Sequence, residues 1–399
     1  VTAGRSTVTT DEPVRTAGDA DRPARRRRRR TRLVLGAAAS WLVFVAAHRV
    51  LSGRVWWWNL PDLAPPPAFL AVPVLLLAVL VLLRPARRVG VVLVVAALVL
   101  GWPCAGVNFA TLWHRPAPAP PDAVTVFSWN TWYWDQLVRT GPGGEPVRDP
   151  DRFYRYLRAQ AADVYLLQEY LYVDRQDFSP LPVTDPDRLR REFPGFHVAV
   201  SGELVTLSRF PIVLERPVDL RPWLDRQWPD LPPAGSSMPD YHTVKTLRTD
   251  LRVAGRVLSF YNAHLHVPIT GLPSRGGGTA WDGLARYDLR AADYRALAAD
   301  LADNPHPVLL AGDLNTSPAM RLIRALPDRL VDASRAIDSL YPVSWAGHGL
   351  PLWRIDWVFT TTDVTVHRYR MVPQGGLSDH RGQLVVVSIP SCRERTSCR

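Results

Sequence analysis

Charge and hydrophobicity are segregated along this chain, and that segregation limits the architectures open to it. Residues 1–115 hold 16 arginines against five acidic residues, which is the whole net charge of +11. Residues 116–399 hold 32 basic and 32 acidic side chains and sum to zero. A charge of +11 invites a polyanion-binding reading, but here it lies beside apolar runs at Leu33–Leu51, Ala68–Leu83 and Val89–Ala110. That pattern suits membrane orientation better than nucleic-acid binding. The neutral remainder, about 280 residues, is long enough for one large globular domain with a substantial core.

The layout follows. Residues 1–32 read as a disordered basic tail containing Arg25–Arg30 and Arg32. Residues 33–113 read as a transmembrane region of three helices. A span needs roughly 17–25 mainly apolar residues, which the third run satisfies and the first two reach only with flanking residues. Arg84, Arg87 and Arg88 lie between the second and third runs, whereas the loop at 52–67 carries only Arg54 and Asp62. The positive-inside rule then places the N-terminus in the cytoplasm and the large domain outside a multi-pass plasma-membrane anchor. Trp56, Trp57 and Trp58 fall at the outer end of the first run, where interfacial aromatics are expected. A competing reading makes Arg29–Ala47 a cleaved signal, which leaves the large domain outside as well. Residues 114–121 read as a Pro-rich linker, 122–390 as the globular domain and 391–399 as a tail. Cys104, Cys392 and Cys398 exclude a disulfide framework or a cysteine-rich zinc module, and the last two either pair or lie free on the tail. Lys245 is the only lysine, which reads as biased coding composition.

From Val124 onward, short apolar runs alternate with helical periodicity, which indicates an α/β domain with many strands. Strands are expected at Val124–Trp129, Val164–Leu167, Val198–Leu207, Leu247–Val253, Val257–Ala263, Val308–Ala311, Ile355–Thr360 and Gln383–Val387. Helices are expected near Asp151–Ala162 and over Arg286–Asp303.

Six of these places put polar residues at a strand end: Ser128-Trp-Asn130, Leu167-Gln-Glu169, Asn262-Ala-His264-Leu-His266, Gly312-Asp313-Leu-Asn315, Arg354-Ile-Asp356 and Ser378-Asp379-His380. Loops after strands are where α/β folds gather catalytic groups from distant parts of a chain. Glu169, Asp313 and Asp379 with the amides of Asn130 and Asn315 are hard oxygen donors, suited to Mg²⁺ or Mn²⁺. Two histidines beside such a metal suit attack of water on phosphorus, with Asp356 as the carboxylate that orients His380.

As an ordered set, W-N, L-Q-E, S-R-F-P-I, N-A-H-L, G-D-L-N, R-I-D and S-D-H resemble the endonuclease/exonuclease/phosphatase superfamily across about Asp122–Pro390. The resemblance implies a DNase I-like four-layer α/β sandwich and a metal-dependent hydrolase. It makes Glu169 the principal metal ligand, with Asn130 and Asp379 in the metal shell. Asp313 would activate the attacking water and Asn315 orient it. His264 and His380 would neutralise the phosphoryl group, with Asp356 pairing His380. Glu203 is the candidate partner for His264. His266 remains either a substrate contact or a surface residue, and Arg209 either a salt-bridge partner or a phosphate ligand.

The N-terminal apolar segments resemble a bacterial membrane branch of that superfamily, the VanJ-type proteins linked to teicoplanin resistance. That implies a lipid-carrier substrate such as polyprenyl pyrophosphate. Trp132, Tyr133, Trp134, Trp223 and Trp228 could line a lipid-facing mouth or simply pack as anchors. The Gly276–Gly278 run reads as a loop rim beside His264. The alternative is an extracytoplasmic nuclease, disfavoured by the neutral domain, or a sphingomyelinase-like phosphodiesterase. A binding module with a degenerate site is the third reading. No G-x-S-x-G elbow or P-loop occurs.

Overall fold

Alternation along the first strand already defines two cores. In a computed structural model, Val124 and Val126 enter one apolar cluster while Phe127 and Trp129 enter another on the opposite side. The structure describes residues 17–82, 87–134, 149–174, 179–225, 228, 230–269, 283–346 and 349–389.

Fourteen strands are described: β1 (Val124–Asn130), β2 (Val164–Gln168), β3 (Tyr172–Val173), β4 (Pro180–Leu181), β5 (His197–Ser201), β6 (Leu204–Ser208), β7 (Ile212–Asp219), β8 (Val244–Val253), β9 (Arg256–His264), β10 (Val308–Asp313), β11 (Leu330–Asp332), β12 (Asp356–Thr361), β13 (Thr365–Val372) and β14 (Gly382–Ser388). Twelve form two six-stranded sheets, ordered β13-β14-β1-β2-β6-β5 and β11-β12-β10-β9-β8-β7. Each sheet is mixed: β1 and β2 pair parallel, as do β9 and β10, and the other neighbours pair antiparallel. Val126, Val164 and Leu166 of one sheet meet Phe260, Leu309 and Val358 of the other in a shared core. Phe153 and Leu157 of the helix Pro150–Ala159 cover the outer face of the first sheet. Leu297 and Leu301 of the helix Gly283–Asp303 cover the second. Helix, sheet, sheet and helix are the four expected layers.

The run expected as one strand over Val198–Leu207 is a hairpin. Gly202, with φ +55°, turns the chain between β5 and β6 and presents Glu203. At Gly312, φ is +143°, and a Cβ there would stand 2.0 Å from the Ala263 carbonyl oxygen of the paired strand. Gly312→Ala is therefore expected to destabilise the fold by about 1–3 kcal/mol in chemical denaturation, with β9 and β10 forced apart.

The described residues fall into two compact units. In one, the helix Ala17–Leu51 packs Val34, Leu35 and Ala38 against Leu76, Leu77 and Leu80 of the helix Ala68–Leu82 and Leu93 and Val94 of the helix Arg87–Gly101. Gly90 permits the approach, since a Cβ there would lie 2.5 Å from a Leu80 methyl. Three expectations change here. The helix begins at Ala17, so residues 17–32 are helical where disorder is expected; arginines are good helix formers. Among the described residues only Arg25–Leu51 is long and apolar enough to cross a membrane, so three membrane-length helices give way to one. The third apolar run stops at Gly101, because Pro103 lacks the N–H that would continue the helix and Trp102–Cys104 tighten into a 3₁₀ turn. The sequence readings for Cys392, Cys398 and Gly276–Gly278 lie outside the described residues.

The other unit takes Ala47–Phe69 together with the chain from Trp102 onward, so residues read as outer loop and linker belong with the sandwich. His48 approaches the Ala319 carbonyl oxygen at 2.8 Å, the Arg321 N–H donates to Ser52 Oγ at 2.9 Å, and Tyr287 donates to the Gly53 carbonyl at 3.2 Å. Farther along, Asn108 donates to the Ser334 carbonyl at 2.7 Å.

Candidate active site

At one end of the sandwich the inter-sheet core turns polar. Gln168 Nε2 donates to Asn262 Oδ1 at 2.7 Å, and Asn262 Nδ2 donates to the Leu167 and Val205 carbonyls, fastening β2 and β6 to β9. Beyond this clasp the strand ends open onto a cluster of acids and imidazoles. Register builds it: Asp313 lies opposite His264 on one side and Asp356 on the other, so three adjacent strands contribute one row. From the facing sheet, Asn130 Nδ2 donates to Glu169 Oε1 at 3.0 Å and to Asp313 Oδ2 at 3.1 Å. Glu169 and Asn315 take left-handed backbone, φ +54° and +47°, and so do Trp132, Tyr133 and Trp134. Non-glycine residues held there store about 1–3 kcal/mol each, and such strain gathers at functional sites.

Each histidine has a carboxylate behind it. His380 Nδ1 meets Asp356 Oδ2 at 2.9 Å, and its Nε2 lies 3.6 Å from Asp313 Oδ2 and 3.8 Å from Asp379 Oδ1. Across the site His264 Nδ1 meets Glu203 Oε1 at 2.9 Å, while its Nε2 lies 3.6 Å from Glu169 and 3.8 Å from Asp313. The two Nε2 atoms therefore converge on Asp313. Asp313 Oδ1 accepts the Asn315 N–H at 2.8 Å, and Asn315 Nδ2 is fixed by the Leu265 carbonyl at 2.9 Å. All the sequence-derived candidates, Asn130, Glu169, His264, Asp313, Asn315, Asp356, Asp379 and His380, are thus brought into one network.

Burial and charge set the protonation. Burial pushes Glu169 up to about 7 against the pull of His264, and pushes Asp313 up to about 6 against the pull of His380. Burial opposes charge on both imidazoles, yet Glu203 outweighs it and lifts His264 to about 9. For His380, Asp356 and Asp313 outweigh it and hold the ring protonated well above the usual histidine range. Glu203 is itself held at about 2, because His264 and Lys245 overcome its burial.

Lys245 is what sequence reasoning missed. Its Nζ lies 2.6 Å from Glu203 Oε1 and 4.0 Å from the Tyr241 ring centroid, and it is buried. One lysine among 47 arginines was the available signal: a buried point charge on a slender stem fits where a guanidinium fork does not. Trp345 was also missed; its Nε1 donates to Asp379 Oδ2 at 2.8 Å. Other readings resolve. Trp134 is buried among Phe153, Tyr154 and Tyr170, so it is core and not a lipid-facing mouth. Arg209 is exposed, 3.7 Å from Asp163 and stacked over Phe196, as a structural partner would be. His266 meets Asp293 at 2.9 Å through Nδ1.

Five carboxylates (Glu169, Glu203, Asp313, Asp356, Asp379) face three cationic groups (Lys245, His264, His380). Asp379 Oδ1 and Asp356 Oδ1 are buried with no hydrogen-bond donor among the described residues. A site rich in oxygen donors and short of positive charge fits a hard divalent cation. Asp313, Asp356 and His380 bring their ligand atoms within 4.8 Å of one another. His380 Nδ1 is already engaged by Asp356, which makes that trio a relay for the imidazole first.

The Endonuclease/Exonuclease/phosphatase family pattern matches residues 127–380, which includes every residue of this network. The chain belongs to the endonuclease/exonuclease/phosphatase family. Enzymes of this family hydrolyse phosphoester bonds and usually bind a divalent metal. Solved structures to which the chain is similar include an endonuclease/exonuclease/phosphatase from Beutenbergia cavernae, 19% identical over 67% of this chain and 72% of that one, TM-score 0.45. Sphingomyelinase C from Streptomyces griseocarneus is 18% identical over 66% and 99%, TM-score 0.44. Humanized TDP2 from D. rerio is 14% identical over 67% and 99%, TM-score 0.45. A comparison with curated protein sequences found no match.

Within this family member, Asp356→Asn tests the relay behind His380. An amide at 2.9 Å from Nδ1 removes the charge that keeps the ring protonated and correctly oriented. Turnover is expected to fall by about 100-fold with little change in fold, read as steady-state kinetics beside a circular dichroism spectrum.

Proposed function

We propose that this protein is a membrane-anchored, metal-dependent phosphohydrolase whose catalytic unit lies at the extracytoplasmic face and cleaves a phosphoester or pyrophosphate bond of a lipid-linked substrate. The polyprenyl pyrophosphate carrier of the VanJ-type proteins linked to teicoplanin resistance is the substrate class that this reading favours. One observation carries it: the helix long enough to cross a membrane, Arg25–Leu51, runs at its end into the catalytic unit, which begins at Ala47. A neutral catalytic region and an arginine-rich N-terminal third support the same orientation.

Glu169, with Asn130 and Asp379, would hold Mg²⁺ or Mn²⁺. Bound there, the cation would supply Lewis-acid stabilisation of charge on the phosphoryl oxygens. The chain's own groups do the rest. Asp313, poised at about 6 and flanked by two imidazolium Nε2 atoms, accepts a proton from the attacking water. His264 and His380, each held cationic by a buried carboxylate, donate to the phosphoryl oxygens and offset their growing charge. His380 is placed to return a proton to the leaving oxygen. Asn315, its amide fixed by Leu265, orients water and phosphate.

The test uses the full chain in mild detergent with Mg²⁺, offered polyprenyl pyrophosphate, a sphingomyelin-type phosphodiester and plasmid DNA. Phosphate release from the polyprenyl substrate is expected. Rapid DNA cleavage with no lipid turnover would establish the nuclease reading in its place.

A further inference from the structure

Where the end of the first helix meets the sandwich, the catalytic unit carries a basic pocket that the active-site network does not use. It is lined by Arg49, Arg321 and Arg324 together with His48, Cys104, Pro318, Ala319 and Met320. Arg54 stands within electrostatic reach of Arg321, as do Arg49 and Arg324; burial and these three cations depress the Arg321 guanidinium. Among the described residues no carboxylate lies within 4 Å of any of these four arginines. The nearby acid, Asp62, is buried, 3.6 Å from His48, and burial raises it to about 6. Like charges crowded without a counter-ion are costly, and a cluster of guanidinium forks is the side-chain set that recognises phosphate bidentately.

The pocket is built. His48 is buried and meets the Ala319 carbonyl at 2.8 Å, Arg321 Nη1 donates to the Arg49 carbonyl at 3.1 Å, and the Arg321 N–H is held by Ser52. Gly106, at φ +68°, lets the chain close over Pro318, where a Cβ would approach to 3.0 Å. Large apolar side chains that follow Arg49 or flank Cys104 in the chain are exposed: Trp56, Trp57, Leu60, Trp102 and Trp113. Guanidinium groups with exposed tryptophans nearby in the chain, at the end of a membrane-length helix, match the polar-apolar boundary of a bilayer.

We propose that the Arg49–Arg321–Arg324 pocket holds the phosphate headgroup of an anionic membrane lipid and so seats the catalytic unit on the membrane surface. This rests on the reading that the Arg25–Leu51 helix is inserted in a bilayer. It adds a lipid site separate from the catalytic network, on the loop that carries Asn315 a few residues upstream.

The experiment titrates the full chain in nonionic detergent by calorimetry with dihexanoyl phosphatidic acid, dihexanoyl phosphatidylcholine and inorganic phosphate. A Glu169→Gln background removes turnover. Saturable binding of the phosphatidic acid is expected, weakened by about tenfold or more in Arg321→Gln and in Arg324→Gln. Arg324→Gln keeps the test open if the more buried Arg321 variant fails to fold. Arg321→Lys should recover only part of the affinity, since it restores charge without the fork. Equal affinity for inorganic phosphate would make this a free-anion site and overturn the lipid assignment. Unchanged affinity in both glutamine variants, or no saturable binding, would overturn the site. Failure of hydrolysis with binding intact would count against the proposed function and leave the pocket standing.

Discussion

Glu169→Gln is expected to lower turnover by about a thousandfold while leaving the fold in place. The carboxylate sits at the end of β2 in left-handed backbone, φ +54°, and accepts from Asn130 Nδ2 at 3.0 Å and the Tyr133 N–H at 3.1 Å. A glutamine can keep one of these acceptor contacts, so packing changes little. What it cannot supply is the negative charge that would hold a divalent cation, and that cation's stabilisation of the transition state is worth several kcal/mol, about tenfold per 1.4 kcal/mol. Two measurements check it: kinetics at saturating Mg²⁺, and calorimetric titration of the metal. A variant with wild-type turnover would remove Glu169 from the metal site. Unaltered metal affinity with lost turnover would move it to a different role.

The second large effect concerns stability. Glu203 is fully buried and holds both Lys245, at 2.6 Å, and His264, at 2.9 Å. Removing its charge strands two cations in the interior, and breaking a buried pair from one side costs about 3–5 kcal/mol. Glu203→Gln should therefore show a much lower unfolding midpoint, and Glu203→Gln/Lys245→Met should recover part of the loss, because only His264 then lacks its counter-charge. The sign with pH can be worked out. Glu203, folded pKa about 2, contributes stability above its unfolded value near 4.3 that is lost as pH falls through 2. His264, folded pKa about 9, contributes stability below about 6.5 that is lost as pH rises through 9. The pair contributes most between about pH 4.5 and 6.5. Above that window the wild type should lose stability toward pH 9, and Glu203→Gln should show a flatter profile. Identical slopes in thermal melts of the two proteins would show that His264 is not charged through Glu203.

Much of the catalytic region was legible because its signals are local. A strand of period two that ends in a polar residue reads the same in sequence and in space. Asn130, Glu169, His264, Asp313 and His380 stand out as candidates that way, and their order carries the family resemblance. Glu203 is visible in the sequence only as a candidate, because the hairpin at Gly202 that presents it reads there as one strand. The role of Lys245 is not legible, since nothing near it in the chain says that its neighbour is a carboxylate from another part of the chain. The lengths of the apolar helices differ from the apolar runs for a related reason. Hydropathy counts apolar residues, but Pro103 and the helix-forming arginines before Leu33 decide where helices stop and start.

By itself the sequence determined the segregation of charge, the α/β alternation and membership of a family that hydrolyses phosphoester bonds, because each depends on residue type, short-range spacing and motif order. Tertiary structure alone decided which charges neutralise which. It joined Glu203 to Lys245 and His264, and set Asp313 between two imidazoles through strand register. It also brought residues 48–53 and 104–106 against residues 318–324, leaving Arg49, Arg321 and Arg324 together. Electrostatic energy depends on distance and burial, and neither can be read along the chain.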